Sequence, residues 1–172
     1  YQENDPSTTD VDESGYICGI WQYDLAEELA EIYSVGAKNN NLVSHLIFSD
    51  NGEKAVRSYS YKGGFVTSLS VFEYQANDPD APEVDRSKLM AGVWQYEVSS
   101  ESELYTARTI NNKLMTHTVY DDEGGYVEAS FGYKTGVLEV INVYEYWTSD
   151  HEKIKILHQY DALFGKTESH YA

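Results

Sequence analysis

The chain is short of cysteine and proline, and each shortage excludes something or marks a boundary. Cys18 is the only cysteine among 172 residues, which excludes an internal disulfide. It lies in the apolar run 16–20, and we therefore predict a small buried side chain there. Two of the three prolines, Pro79 and Pro82, stand close together, and they predict a connection between two parts of the chain.

Basic charge is also scarce. Lysine and arginine total 12 against 29 aspartates and glutamates, which gives a formal net charge of -17. Nucleic-acid binding needs clustered basic side chains, so we predict no nucleic-acid partner. Docking on anionic lipid headgroups is disfavoured for the same reason. No apolar run in the sequence approaches the roughly 18–20 residues that span a bilayer as a helix.

Tyrosine, in contrast, is abundant. The chain has 16 Tyr, 5 Phe and 3 Trp, and 41% of its residues are hydrophobic. This content is enough for a packed core, and aromatic residues favour strands over helices. The composition therefore predicts a strand-rich protein.

A tandem repeat runs through the chain. The segment 19–24, Gly-Ile-Trp-Gln-Tyr-Asp, returns at 92–97 as Gly-Val-Trp-Gln-Tyr-Glu. From Tyr33 onward the two copies align without gaps at an offset of about 72 residues. The matched pairs include His45 with His117, Gly52 with Gly124, Gly64 with Gly136, Glu73 with Glu145, and Tyr74 with Tyr146. We interpret this pattern as an internal duplication.

The duplication sets the predicted domain organisation. Residues 1–14 are predicted to form a disordered acidic leader, and residues 15–172 a single β domain. That domain consists of repeat 1 (about 16–75), a connector (76–90) and repeat 2 (about 91–172). Each repeat is predicted to hold about five strands, the second of repeat 1 covering 28–37. Glycine-containing turns separate the strands, at 50–52 and 62–64 and at the matching sites of repeat 2.

A five-stranded unit of this size buries only one face and is marginal alone. Two copies that cover each other are therefore expected. The fold class predicted is all-β, an antiparallel meander of two repeats. The meander closes into one barrel or, as the alternative, folds into two packed sheets in a β-sandwich.

The Gly-x-Trp sequences at Gly19–Trp21 and Gly92–Trp94 each open a meander. In this they resemble the signature of the lipocalins and their calycin relatives, including small bacterial lipocalin-like lipoproteins. The resemblance implies a lipocalin-like barrel that binds a small ligand. The acidic leader looks like the tether of such a lipoprotein after its lipidated cysteine, which this chain lacks. It implies a cell-envelope or secreted location, with membrane attachment only through that missing anchor.

Two matched pairs of polar residues are the first candidates for a ligand site. His45 and His117 lie on strand faces with apolar neighbours, where they would line a cavity or form hydrogen bonds in the core. Glu73 and Glu145 share faces with apolar residues as well, and a carboxylate there needs a partner. Lys62, Lys134 or the histidines are the expected partners.

Aromatic residues are the second group of candidates, because Trp and Tyr rings stack on sugars and on apolar ligands. They are Trp21, Trp94, Tyr23, Tyr96 and Trp147. Core packing is the default expectation for Trp21 and Trp94, whereas Trp147 is expected to be exposed or to line a mouth.

Motifs for catalysis or cofactor binding are missing from the sequence. It has no Gly-x-Ser-x-Gly, no phosphate-binding loop, no dinucleotide fingerprint and no Cys-x-x-Cys. We therefore predict no catalytic residues, no metal site and no cofactor. The predicted function is non-enzymatic binding of a small apolar or neutral ligand. The alternative is an adhesion or interaction module with a filled core that binds carbohydrate, such as a surface glycan, or protein.

Overall fold

The computed structural model describes residues 17–24, 40–80, 85–147, 150–162 and 165–171, with the side chains of 150–153 and 165–171 left out. The predicted leader and the predicted strand at 28–37 lie outside these residues. Ten strands form the described part: β1 (Gly19–Tyr23), β2 (Leu42–Phe48), β3 (Ala55–Lys62), β4 (Phe65–Tyr74), β5 (Met90–Glu97), β6 (Leu114–Tyr120), β7 (Val127–Lys134), β8 (Val137–Trp147), β9 (Asp150–Asp161) and β10 (Gly165–Tyr171). A 3-10 turn, Arg86–Lys88, precedes β5.

The strands follow one another in space as they do in sequence. Their hydrogen-bonded order is β1 to β10 without a crossover. The pairs with a described register are antiparallel, and they are β1–β2, β2–β3, β5–β6, β6–β7, β7–β8, β8–β9 and β9–β10. The prediction of an all-β antiparallel meander is confirmed. Repeat 1 contributes the described strands β1–β4, repeat 2 begins with their counterparts β5–β8, and β9 and β10 complete it.

The strand predicted in repeat 2 as the counterpart of 28–37 is absent, and that prediction is wrong. The segment 98–113, which would have carried the extra strand, is a loop. Its residues satisfy one another locally, because Ser99 donates its backbone N–H (2.8 Å) and its hydroxyl (2.9 Å) to the Glu103 carboxylate. Such local bonds from short polar side chains compete with a strand ladder.

The turns lie where glycine predicts them, and they recur between repeats. Gly52 and Gly124 have φ of 66° and 69°, and Gly64 and Gly136 have φ of 81° and 78°. This left-handed region favours glycine. A side chain at Gly136 would also clash sterically, since a Cβ there would lie 2.6 Å from the Asn111 carbonyl oxygen.

The described residues form two compact units, divided within β4. The first unit holds the described residues up to Ser70 together with Val98–Leu104. Its buried side chains are Leu42, Tyr59, Tyr61, Ser68, Leu69 and Val98. The Tyr59 hydroxyl donates to the Glu101 carbonyl oxygen at 2.9 Å, which fastens the segment 98–104 to this unit.

Cys18 also belongs to the first unit, and the prediction that it is buried is wrong, because its side chain is exposed. It precedes β1, the end strand of the hydrogen-bonded order, and its neighbours Ile17 and Ile20 are exposed too. An apolar run at an end strand has less structure to pack against than the same run in the middle of a sheet.

The second unit holds 71–97 and the described residues from Tyr105 onward. Its buried apolar side chains are Trp94, Tyr96 and Leu114. The Tyr96 hydroxyl lies 3.0 Å from the carbonyl oxygens of both Thr106 and Thr109. The Tyr96 side chain therefore anchors the loop 105–110. Its burial raises the pKa of Tyr96.

Candidate functional site

Each repeat contains a tryptophan stacked on a histidine. Trp21 of β1 faces His45 of β2, and Trp94 of β5 faces His117 of β6, each as a directly opposed cross-strand pair. The ring centroids are 3.5 Å apart in the first pair and 3.6 Å in the second, with planes inclined by 14° in both. Four of the predicted candidates thus pair within their own repeats, and cross-strand aromatic pairs stabilise a sheet.

The glycine of the Gly-x-Trp sequence has a steric role in this stack. A Cβ at Gly19 would lie 3.1 Å from His45 Nε2, and a Cβ at Gly92 would lie 3.1 Å from His117 Nε2. The glycine stands two residues before the tryptophan, on the same face of the strand. It leaves room for the imidazole edge, so the Gly-x-Trp spacing supports the Trp–His stack in both copies.

In the second unit, Glu73 joins this stack to a loop. Trp94 donates its indole Nε1–H to Glu73 Oε2 at 2.7 Å. Arg108 donates from Nε (2.7 Å) and Nη2 (2.6 Å) to Glu73 Oε1. The Glu73 side chain is only 15% exposed, so these charge-assisted bonds supply the partner that a half-buried carboxylate needs.

The partner of Glu73 is thus Arg108, and not the lysines or histidines that the sequence suggested. Arg108 has a φ of 67°, unusual for a residue with a side chain, and lies in the loop that Tyr96 anchors. Nothing in the local sequence indicates this contact, because it depends on the conformation of a long loop.

His117 is the centre of the same cluster. It stacks on Trp94 and also on Phe131, whose ring centroid is 5.6 Å away. Desolvation lowers the pKa of His117, and Arg108 adds to this, while the Glu73 carboxylate acts in the opposite direction. A small groove of about 360 Å³ opens beside the cluster, with Ala91 and Ile110 among its apolar walls.

The remaining candidates lie elsewhere. Glu145 Oε1 is 2.9 Å from His158 Nε2, and the Glu145 side chain is 47% exposed. Trp147 is 46% exposed, and Lys155 Nζ lies 5.7 Å from its ring centroid. Tyr23 ends β1 opposite Leu42 and is half-buried. The sequence predicted that Trp147 is exposed or lines a mouth, and the structure shows that it is exposed.

A larger groove is lined by residues of β6–β8, and its β6 residues Thr116, Thr118 and Tyr120 alternate with His117 along the strand. Its volume is about 510 Å³. Its lining includes Thr116, Thr118, Tyr120, Ser130, Asn142 and Tyr144. Val127, Phe131 and Ile154 line it as well. None of the nine candidates predicted from the sequence lines this groove, because those candidates came from the apolar strand faces and the Thr, Ser and Asn side chains of the groove alternate with such faces.

This groove carries no charged side chain. Aspartate, glutamate, lysine, arginine and histidine are all missing from its described lining. Asn142 Nδ2–H donates to Ser130 Oγ at 3.0 Å, and that oxygen lies 3.2 Å from the Tyr144 hydroxyl. The cross-strand partners Thr118, Ser130 and Asn142 form one row across β6, β7 and β8. We call this feature the uncharged groove.

In the described ranges, no three His, Cys, Asp or Glu side chains lie close enough to hold a metal ion. No helix in those ranges has the length and apolar character to cross a membrane.

Comparison with known proteins returns no match. Neither a protein-family model, nor a curated protein, nor a solved structure is similar to this chain.

Proposed function

We propose that this protein is a non-enzymatic binding protein and that the uncharged groove holds a small neutral ligand. The observation that carries the proposal is the groove itself, an open cavity of about 510 Å³ without charge in a chain of net charge -17. This volume falls within the range of small-molecule sites. A charged ligand would lose hydration there without gaining a counter-charge.

The positions of the acidic and histidine side chains support a binding role over catalysis. Glu73 is engaged by Trp94 and Arg108, and Glu145 pairs with His158. A general acid or base must lie within hydrogen-bond reach of the reacting group, and neither carboxylate lines the uncharged groove.

We also propose that the meander closes into one lipocalin-like barrel, with two packed sheets as the alternative. The lipocalin resemblance is its support, together with a meander of neighbouring antiparallel strands. An envelope or secreted location is proposed on the same resemblance.

An interaction module is the second candidate, and exposed aromatic surface favours it. Trp147 offers nearly half of its side chain to solvent beside Lys155. Exposed tryptophan is typical of protein-binding and glycan-binding surfaces.

The proposal is tested by amide NMR shifts against uncharged fragments and size-matched charged ones. Uncharged fragments are expected to shift amides of β6–β8. Gly132→Leu should abolish these shifts by filling the groove, since a Cβ at Gly132 meets only Val140 atoms at 3.6 Å or more. Gly125→Leu is the matched control, because a Cβ there meets nothing within 4 Å. Preference for charged fragments, or shifts that survive Gly132→Leu, would overturn the proposal, and shifts centred on Trp147 would favour the interaction module.

A further inference from the structure

We infer that the ligand of the uncharged groove is a short, neutral carbohydrate chain lying across strands β6, β7 and β8. This inference rests on the proposed function, and it adds the chemical class of the ligand. Three observations carry it: the polar atoms that the groove leaves available, the position of its tyrosine rings, and an internal comparison with repeat 1.

The groove leaves polar atoms for a ligand to bond. Ser130 and the amide nitrogen of Asn142 are engaged with each other at 3.0 Å. The Thr118 hydroxyl, the Tyr120 hydroxyl and the Asn142 carbonyl oxygen make no hydrogen bond within the described part of the chain. A purely apolar ligand would bury these atoms unsatisfied, at about 1–3 kcal/mol each. A ligand rich in hydroxyl groups would satisfy them.

The tyrosines stand beside the polar row. Tyr120, Tyr144 and Tyr146 line the groove. Tyr120 follows Thr118 by two residues on β6 and Tyr144 follows Asn142 by two residues on β8, so both lie on the same strand faces as the polar row. The Tyr146 hydroxyl is fixed by donating to the Val127 carbonyl oxygen at 2.9 Å, which holds that ring in place. A pyranose presents a C–H face to an aromatic ring and hydroxyl groups at its edge, so a row of rings beside a row of hydrogen-bonding groups suits it.

The spacing of the polar row fits more than one sugar unit. Thr118, Ser130 and Asn142 are register partners on three neighbouring strands. Neighbouring strands are about 4.8 Å apart, so the row extends over about 10 Å. Gly132, the partner of Thr116, also lines the groove and adds no side chain to it.

Repeat 1 shows that the strands do not need this polar surface. Repeat 1 has Leu46, Phe48 and Phe72 where repeat 2 has Thr118, Tyr120 and Tyr144. The strand pairing is the same in both, since Leu46 faces Ser58 as Thr118 faces Ser130. Both pairs of strands even shift register at the same place, before Phe48 and before Tyr120. The hydroxyl groups of Thr118 and Tyr120 are therefore not a requirement of the strand pairing, and repeat 1 has phenylalanine at the position of Tyr144 as well.

The same comparison supplies a variant designed to fold. Thr118→Leu, Tyr120→Phe and Tyr144→Phe together place in repeat 2 the side chains that repeat 1 carries at these positions. The change removes three hydroxyl groups, keeps both rings and adds no charge. The single variants Tyr120→Phe and Tyr144→Phe serve in place of the triple variant if circular dichroism shows that it is unfolded.

The test is titration calorimetry with cellotriose, maltotriose and tri-N-acetylchitotriose, with Nile red as a neutral apolar probe. At least one trisaccharide should bind the unaltered protein, and the triple variant should weaken it about tenfold or more, as expected for the loss of two or three hydrogen bonds. Gly132→Leu should abolish binding and Gly125→Leu should leave it unchanged. Trigalacturonate, an anionic chain of similar size, should bind more weakly than the neutral chain.

The possible failures are distinguishable. The inference is overturned if no trisaccharide binds, if the triple variant binds as well as the unaltered protein, or if trigalacturonate binds more tightly. Nile red binding that Gly132→Leu blocks, without any trisaccharide binding, would refute the carbohydrate and keep the proposed function. Failure of both kinds of probe would overturn the two together.

Discussion

The two repeats contain the same Trp–His stack in different surroundings. In repeat 1, Trp21 lies on β1, at the end of the strand order, and is half-buried. In repeat 2, Trp94 is 6% exposed and its indole N–H is bound by Glu73, which Arg108 also holds. The stack is thus a property of the duplicated sequence, whereas the network around it belongs to the place that each copy occupies in the chain.

This contrast has a simple origin. Glu73 ends repeat 1 on β4, and the next strand in the order, β5, carries Trp94. Its counterpart Glu145 on β8 is followed by β9, and there it meets His158. Each glutamate bonds to a group on the strand that follows it. Duplication therefore repeated the residues, and the differing next strand gave them different partners.

The largest expected effect is on the stability of the two tryptophan variants. Trp94→Ala should reduce the free energy of unfolding by about 3–5 kcal/mol, because it removes a buried ring and leaves Glu73 without one of its donors. Trp21→Ala should reduce the free energy of unfolding by clearly less, since Trp21 is half-buried. Urea denaturation followed by tyrosine fluorescence measures both. Equal losses would mean that the surroundings of the two stacks do not differ in energy.

A smaller effect is expected from the glutamates. Glu73→Gln should destabilise the protein by about 1–3 kcal/mol, because it weakens charge-assisted bonds to a half-buried carboxylate. Glu145→Gln should cost less than about 1 kcal/mol, since its pair with His158 is partly exposed. Paired thermal and urea melts at neutral pH measure the difference. The comparison fails if Glu145→Gln is the more damaging change.

The smallest expected effect is a pH dependence of the free energy of unfolding, which comes from His117. Its pKa in the folded protein lies below the ordinary value of 6.5, so the unfolded chain binds the proton more readily. The contribution of His117 to the free energy of unfolding is fully present above about pH 6.5. It is lost as the pH falls from 6.5 towards the pKa of His117 in the folded protein.

Measurement of this effect requires His117 to be followed directly, because many carboxylates titrate at lower pH. The imidazole proton signals of His117 in an NMR titration should give a midpoint below 6.5. His117→Phe keeps an aromatic ring on Trp94 and should flatten the stability profile between pH 6.5 and the His117 midpoint. A midpoint at or above 6.5 would contradict the desolvation that the stack imposes.

Particular residues show how far the sequence could be interpreted. The matched glycines predicted the turns, and Gly52, Gly64, Gly124 and Gly136 have the positive φ that those turns require. Period-two alternation placed the tryptophans and histidines on strand faces, but it did not pair Trp94 with His117. That pairing depends on the register between β5 and β6, which shifts at Gln95–Tyr96.

The uncharged groove was missed for a related reason. Its residues are Thr, Ser, Asn and Tyr on the polar face of ordinary strands, and such residues are common on solvated surfaces. They form a site only because β6, β7 and β8 align Thr118, Ser130 and Asn142 in one row. Comparison of the repeats was the available signal, since Leu46, Phe48 and Phe72 change to hydroxyl-bearing residues in the second copy.

The sequence by itself determined the duplication, the all-β class, the antiparallel meander and the positions of the main turns. These features follow from composition, period-two patterns and glycine chemistry, which are local along the chain. Only the tertiary structure decided that Glu73 binds Trp94 and Arg108, and that a groove without charge opens beside Asn142. Contacts of this kind join residues far apart in the chain, and their distances depend on strand register and loop conformation, which no local pattern encodes.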